Sequence, residues 1–181
     1  MASSKRCDTP WCWAIAVLWL MGSVIDVYAQ DVRWERVTSA GLQAFEQGDY
    51  DEAARQFQTA LAMAEAFGPD DPRVSRGLMN LAIVYHTQGQ YTQAEQFYQR
   101  TLVLQEKILG PEHPQLVDVL EGYAALQRKM YPVQSLLPWS LASKMAARAM
   151  RIREREEQAM LRELPGWWRI DERQLISDGG G

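Results

Sequence analysis

The chain has 181 residues, which suits one domain with extensions at its ends. Its net charge of −4 offers no electrostatic attraction for nucleic acid, and its 47% hydrophobic content is enough for a packed core. Ala, Gln, Leu, Arg and Glu are abundant, while runs of Val, Ile and Thr are scarce, so the composition favours an all-α fold.

Residues 1–29 show the pattern of a secretory signal peptide. Lys5 and Arg6 form a positive start, residues 11–25 form an apolar run, and Ala29 supplies the small residue that a signal peptidase reads. We expect cleavage after Ala29, which would place the mature chain in the periplasm or outside the cell. The alternative is a retained membrane anchor, although the run is shorter than the ~20 residues that span a bilayer.

A sequence repeat fills the middle of the chain. Three positions recur 41 residues later in the same order: Gly48, Tyr50 and Ala53 as Gly89, Tyr91 and Ala94. The linker Gly68-Pro69-Asp70-Asp71-Pro72 recurs 42 residues later as Gly110-Pro111-Glu112-His113-Pro114. Because these matches fall in one register, the sequence predicts tandem units, each with two helices.

Glycine and proline mark the ends of the predicted helices. The first unit has helix A over about 31–47 and helix B over about 49–67, and the second has them over about 73–88 and 91–109. A third helix A covers about 115–129. Asp49 is expected to cap the first helix B, and His113 to pack against or cap the helix that follows it.

Residue size predicts how these helices pack. The small side chains at Gly41, Ala53, Ala82 and Ala94 would let antiparallel helices approach closely. Phe57 and Tyr98 would then fill the space between successive hairpins. A single hairpin cannot bury its apolar stripe, so the units are expected to stack.

The motif Gly-x-Tyr-x-x-Ala, followed by the linker Leu109-Gly110-Pro111-Glu112-His113-Pro114, resembles the elongated tetratricopeptide repeat of kinesin light chains. The resemblance covers about residues 32–130 and continues weakly over 146–154. It implies a short right-handed helical-hairpin solenoid. Residues 30–131 would hold units one and two and the first helix of unit three, and residues 132–164 an irregular second helix of unit three and a cap.

One long helix is predicted over 139–164, since apolar residues recur there with a helical period. They are Leu141, Met145, Ala149, Ile152, Ala159 and Met160. We interpret this helix as a cap with a polar outer face, in preference to a membrane-surface helix. The tail 165–181 is expected to be partly disordered. Its Trp167 and Trp168 either fold back over the last helices, dock on a partner, or fill the groove of the protein itself.

No catalytic or metal-binding pattern is found in the sequence. Both cysteines, Cys7 and Cys12, lie in the signal segment, so the mature chain would have no thiol chemistry. His86 and His113 lack the spacing of a helical metal pair. We therefore expect a protein that is not an enzyme and uses no cofactor or metal.

The resemblance also implies a concave groove lined by the helix A faces, where a partner segment would bind. The groove residues carried over from the repeat register are Thr38, Phe45, Arg76, Met79, Asn80, His86, Glu121 and Arg128. Asn80 stands where many such repeats carry an asparagine that bonds the backbone of a bound peptide.

The function expected is a protein-interaction scaffold or adaptor of the periplasm or secretory space. Its partners would be other proteins or further copies of the chain, and a membrane only if the signal segment is retained. The alternative function is a membrane-tethered structural or assembly subunit with residues 11–25 kept as an anchor.

Overall fold

The computed structural model of the protein describes residues 29–163. These residues form α1 (residues 29–46), α2 (Tyr50–Phe67), α3 (Pro72–Thr87), α4 (Tyr91–Leu109), α5 (Leu116–Met130), a 3-10 turn (Gln134–Leu136) and α6 (Leu141–Glu163). No strand occurs among residues 29–163, so the predicted all-α helical-hairpin fold is confirmed. The predicted signal segment before residue 29, and Trp167 and Trp168, lie outside the described residues.

Matching glycine turns connect each helix A to its helix B. Gly48 has φ 79° and Gly89 has φ 75°, a backbone region that other L-residues rarely adopt. The next residue in each turn donates its N–H back to the helix, from Asp49 to the carbonyl of Ala44 at 2.9 Å and from Gln90 to that of Tyr85 at 2.8 Å. These bonds satisfy carbonyl groups at the helix ends, and the same turn in both hairpins confirms the register of the repeat.

The predicted cap of α2 is present, and His113 bonds the residue that precedes α5. The Asp49 side chain accepts the N–H of Glu52 at 3.1 Å at the start of α2. The His113 Nδ1 atom accepts the N–H of Gln115 at 3.2 Å, immediately before α5. At the start of α4, however, Gln90 makes no capping bond with its side chain.

The chain divides into two compact units, with the boundary between Val84 and Tyr85 inside α3. In the described part of the first unit, α1 and α2 meet where Phe57 lies against Gly41. A β-carbon at Gly41 would be 2.7 Å from Cε1 of Phe57, so only glycine fits beneath this ring. Phe57, which was expected between successive hairpins, therefore has its ring against α1 of its own hairpin.

The second unit packs α4, α5 and α6 through aromatic and small side chains. Tyr98 of α4 is buried and stacks on Tyr123 of α5, with ring centroids 6.0 Å apart. Tyr98 therefore fills the space between successive hairpins, as predicted. The buried side of α6 consists of Ala142, Met145, Ala149 and Ile152.

The apolar stripe predicted on α6 is exposed at its first residue, Leu141, and the prediction was also wrong for Ala159 and Met160. Both side chains are exposed, and Met160 keeps 65% of its surface accessible. The reason is length, because α6 has 23 residues and α5 has only 15. Arg153 already pairs with Glu121 in the second turn of α5, so the last part of α6 extends past that helix. No helix within residues 29–163 is both long and apolar enough to span a bilayer.

Candidate functional site

Two predicted groove residues of α1 differ in accessibility. Thr38 is buried, and its hydroxyl has no hydrogen-bond partner among the described residues. Trp34 lies one turn earlier on the same face and is also buried, with an indole N–H that has no hydrogen-bond partner there either. Phe45 is half-buried, and its ring lies 5.4 Å from that of Tyr50. Thr38 is therefore enclosed by packed side chains, whereas part of the Phe45 side chain remains accessible to solvent.

The predicted residues of α3 in the first unit share one accessible face. Arg76, Met79 and Asn80 are spaced by three and four residues, which places them side by side on a helix. Arg76 is exposed, and its guanidinium lies 5.6 Å from the centre of the Trp34 ring. Met79 and Asn80 are half-buried. This face combines a cation, a flexible thioether and an amide, which can recognise a mixed polar and apolar segment.

His86 lies in the second unit, at the end of α3, and is half-buried. Its ring meets those of Tyr91 and Tyr98 edge-on, with centroids 6.0 Å and 6.3 Å apart. Burial lowers the pKa of His86, and the positive charge of Lys129 lowers it further. A neutral imidazole follows at pH 7, with one nitrogen able to donate a hydrogen bond and the other able to accept one.

A polar network that the sequence reasoning missed joins α4 to α5 in the second unit. The Tyr123 hydroxyl donates to Oε1 of Glu95 at 3.1 Å and accepts from Nε2 of Gln99 at 2.7 Å. The Gln127 amide donates to the same oxygen of Glu95 at 2.6 Å. Each helix supplies two polar residues four positions apart, so this spacing on neighbouring helices was the signal that could have revealed the network.

Burial strengthens the preference of the two stacked tyrosines of this unit for the neutral form. It raises the pKa of Tyr98 to about 12 and raises that of Tyr123 as well. Both phenols are therefore neutral at physiological pH. They can pack and hydrogen-bond, but they carry no charge to a ligand.

Glu121 and Arg128 complete the predicted groove residues, and both are exposed on α5. Glu121 pairs with Arg153 at 2.7 Å, so α6 already holds its carboxylate. Arg128 lies in the last turn of α5. Within residues 29–163, no group of three His, Cys, Asp or Glu residues is arranged to hold a metal ion.

Comparison with known proteins gives one family. The family model described as Tetratricopeptide repeat matches residues 37–102 and again residues 74–130. Together the two matches cover residues 37–130, which is just over half of the 181 residues. No curated protein matches the chain.

Proposed function

Because the chain belongs to the tetratricopeptide repeat family, we propose that it is a non-catalytic scaffold or adaptor that binds a segment of another protein on its helix A faces. Repeats of this family generally mediate protein–protein interaction. The observation that carries the proposal is the accessible α3 face of Arg76, Met79 and Asn80. A side-by-side cation, thioether and amide suit an extended segment with an apolar anchor and polar flanks.

The second unit would contribute a separate set of contacts. His86 offers a neutral imidazole. Arg128 offers a positive charge that forms no ion pair with any described residue. The linker of residues 109–114 supports the finer assignment to the elongated repeats that resemble those of kinesin light chains.

The proposed location is the periplasm or the secretory space, which rests on the signal-like pattern of residues 1–29. The same apolar run supports the alternative of a membrane-tethered assembly subunit. The intact mass of the protein purified from its source cell separates the two. A mass that corresponds to a chain beginning at Gln30 supports release. A mass that includes residues 1–29 supports the anchor.

Affinity capture from an extract of the source cell tests the binding function. The bait is the chain, and the test variant carries Met79→Glu and Asn80→Ala on α3. The matched control carries Val103→Glu and Gln96→Ala on the exposed side of α4. Circular dichroism first establishes that both variants are as helical as the parent.

The proposal expects a protein that the parent and the control capture and the α3 variant loses. Equal capture by all three chains would place binding on another surface. Capture that the α4 control alone loses would place it on helix B and overturn the helix A assignment.

A further inference from the structure

Residues 131–141, which we call the apolar segment, join α5 to α6 and present large apolar side chains to solvent. Val133 is 77% exposed, Leu136 82% and Trp139 67%, and Tyr131 and Leu141 are exposed as well. Scattered exposed hydrophobic residues are common, but a cluster of them in one short stretch marks a surface that contacts a partner or a lipid.

The apolar segment satisfies much of its own backbone. Ser135 Oγ donates to the carbonyl of Pro132 at 2.9 Å, and Ser143 Oγ donates to that of Leu137 at 3.0 Å. Ser140 Oγ accepts the N–H of Ser143 at 3.1 Å, which caps the start of α6. Unpaired N–H and C=O groups are costly to remove from water. These internal bonds therefore make it less costly for the segment to enter an apolar environment.

Positive charges flank the apolar segment on both sides. Arg128 and Lys129 are exposed in the last turn of α5, and Lys144 is exposed in the first turn of α6. None of the three is ion-paired within the described part of the chain. Residues 122–153 contain no aspartate or glutamate, although the whole chain has a net charge of −4. The three flanking residues therefore form a local excess of positive charge.

One acidic residue of a neighbouring helix, Glu95 of α4, reaches this end of α5, because it accepts a hydrogen bond from Gln127, the residue before Arg128. The nearest acidic residues on α5 and α6 themselves lie farther away. Glu121 precedes Arg128 by seven residues, and Glu154 follows Lys144 by ten. At 1.5 Å per residue these separations are about 10 Å and about 15 Å along the helices. Both exceed the screening length of about 8 Å at physiological salt.

We propose that the apolar segment binds the surface of a membrane that contains anionic lipids. Val133, Leu136 and Trp139 enter the boundary between headgroups and acyl chains, where tryptophan and tyrosine are the favoured aromatic residues. Arg128, Lys129 and Lys144 meet the headgroup phosphates. This binding does not require residues 1–29, and Arg128 is the one residue that it shares with the proposed protein-binding faces.

Two observations favour lipid over an acidic protein. The most exposed apolar side chains protrude, and a fluid lipid surface accepts protruding groups without a matching pocket. A cleft of about 330 Å³ also lies beside them, lined by apolar side chains that include Tyr131, Leu137 and Leu141 and by glutamine and serine side chains. Its apolar walls can hold the end of an acyl chain.

The test uses the full chain with two kinds of vesicle, pure phosphatidylcholine and a mixture of phosphatidylcholine with phosphatidylglycerol. Sedimentation alone is not sufficient, because residues 11–25 are apolar and can also attach to vesicles. Trp139 supplies a local signal, since subtracting the emission of Trp139→Phe from that of the parent isolates it. Lipids with brominated acyl chains then report contact with the bilayer by quenching.

The proposal expects the emission of Trp139 to move to shorter wavelength and to be quenched on the anionic vesicles, with a weaker effect at high salt. Val133→Ser with Leu136→Ser is expected to lower the affinity for these vesicles at least about tenfold. Arg128→Gln, Lys129→Gln and Lys144→Gln together are expected to remove the preference for anionic lipid.

Met160→Ser with Leu161→Ser is the matched control, because these two side chains are exposed apolar groups on the outer part of α6. It is expected to bind like the parent. Unchanged emission of Trp139 on both vesicles overturns the proposal, even if the chain sediments. Equal responses on the two vesicles, or an equal loss with the control, also overturn it.

Discussion

Tyr98 lies so close to Gly122 that a β-carbon at position 122 would be 2.8 Å from Cε1 of the tyrosine ring. The repeat register aligns Gly122 with Asn80 of the previous unit. An asparagine at position 122 would collide with a ring that is buried and stacked on Tyr123. The third helix A therefore lacks the asparagine for a packing reason.

Gly122→Ala is expected to lower the free energy of unfolding by about 1–2 kcal/mol, because overpacking a closed site costs more than alanine gains as a helix former. Urea denaturation of the parent and the variant measures the change. In a Tyr98→Leu background the ring is absent, so the same substitution should be neutral or stabilising. An equal cost in both backgrounds would show that the Tyr98 contact is not the cause.

Gln90→Asp is expected to raise the free energy of unfolding by about 1 kcal/mol, because aspartate is a strong N-cap. Gln90 occupies the position of Asp49 in the second hairpin, with φ −81° against −83°, yet makes no capping bond. Thermal or urea unfolding measures the gain. Gln90→Ala is the control, and an equal gain from alanine would mean that the cap is not responsible.

Arg148→Ala is expected to destabilise the second unit by about 1.5–3 kcal/mol. Arg148 is partly buried, pairs with Glu106 at 2.5 Å and also donates to the carbonyl of Pro111, which ties α6 to the end of α4. Arg155 forms a similar pair with Glu112 but is well exposed. Arg155→Ala should therefore change stability by less than about 0.5 kcal/mol. Similar losses from both variants in urea denaturation would contradict this assignment.

Stability is expected to fall as the pH is lowered through the range in which His86 titrates. Burial, and then Lys129, lower its pKa below the usual 6.5, so the unfolded chain binds this proton more readily than the folded chain. The contribution of neutral His86 to the free energy of unfolding is fully present above pH 6.5. It is lost as the pH falls through the lowered pKa.

Unfolding measured from pH 7.5 to 5.5 in the parent, His86→Gln and His113→Gln tests this dependence. The slope of the free energy of unfolding against pH should be reduced in His86→Gln and retained in His113→Gln. A slope that persists without His86 would assign the pH dependence to other groups.

The repeat made the helices predictable, because Gly48 and Gly89 end helix A at equivalent places and Asp49 begins helix B. The end of the α6 stripe was not predictable, since periodicity continues through Met160 while burial depends on how far α5 extends. The network around Glu95 was missed for a similar reason. Its four polar residues are unremarkable on each helix and meet only when α4 packs against α5.

Thr38 shows the limit of the repeat register for the candidate site. The register identifies which way a residue faces on its helix, but not whether a neighbouring side chain covers it. Trp34 and Thr38 share one face of α1 and are both buried. For Arg76, by contrast, the register and the observed exposure agree.

The unequal covering of α6 has a consequence for the rate at which its amides exchange with deuterium. Up to Ile152 the helix shares its buried side with α5, so opening it requires the second unit to separate. From residue 154 to residue 163 every side chain is exposed, and those turns can open by themselves. One continuous helix should therefore show two protection levels, with the step near Arg153.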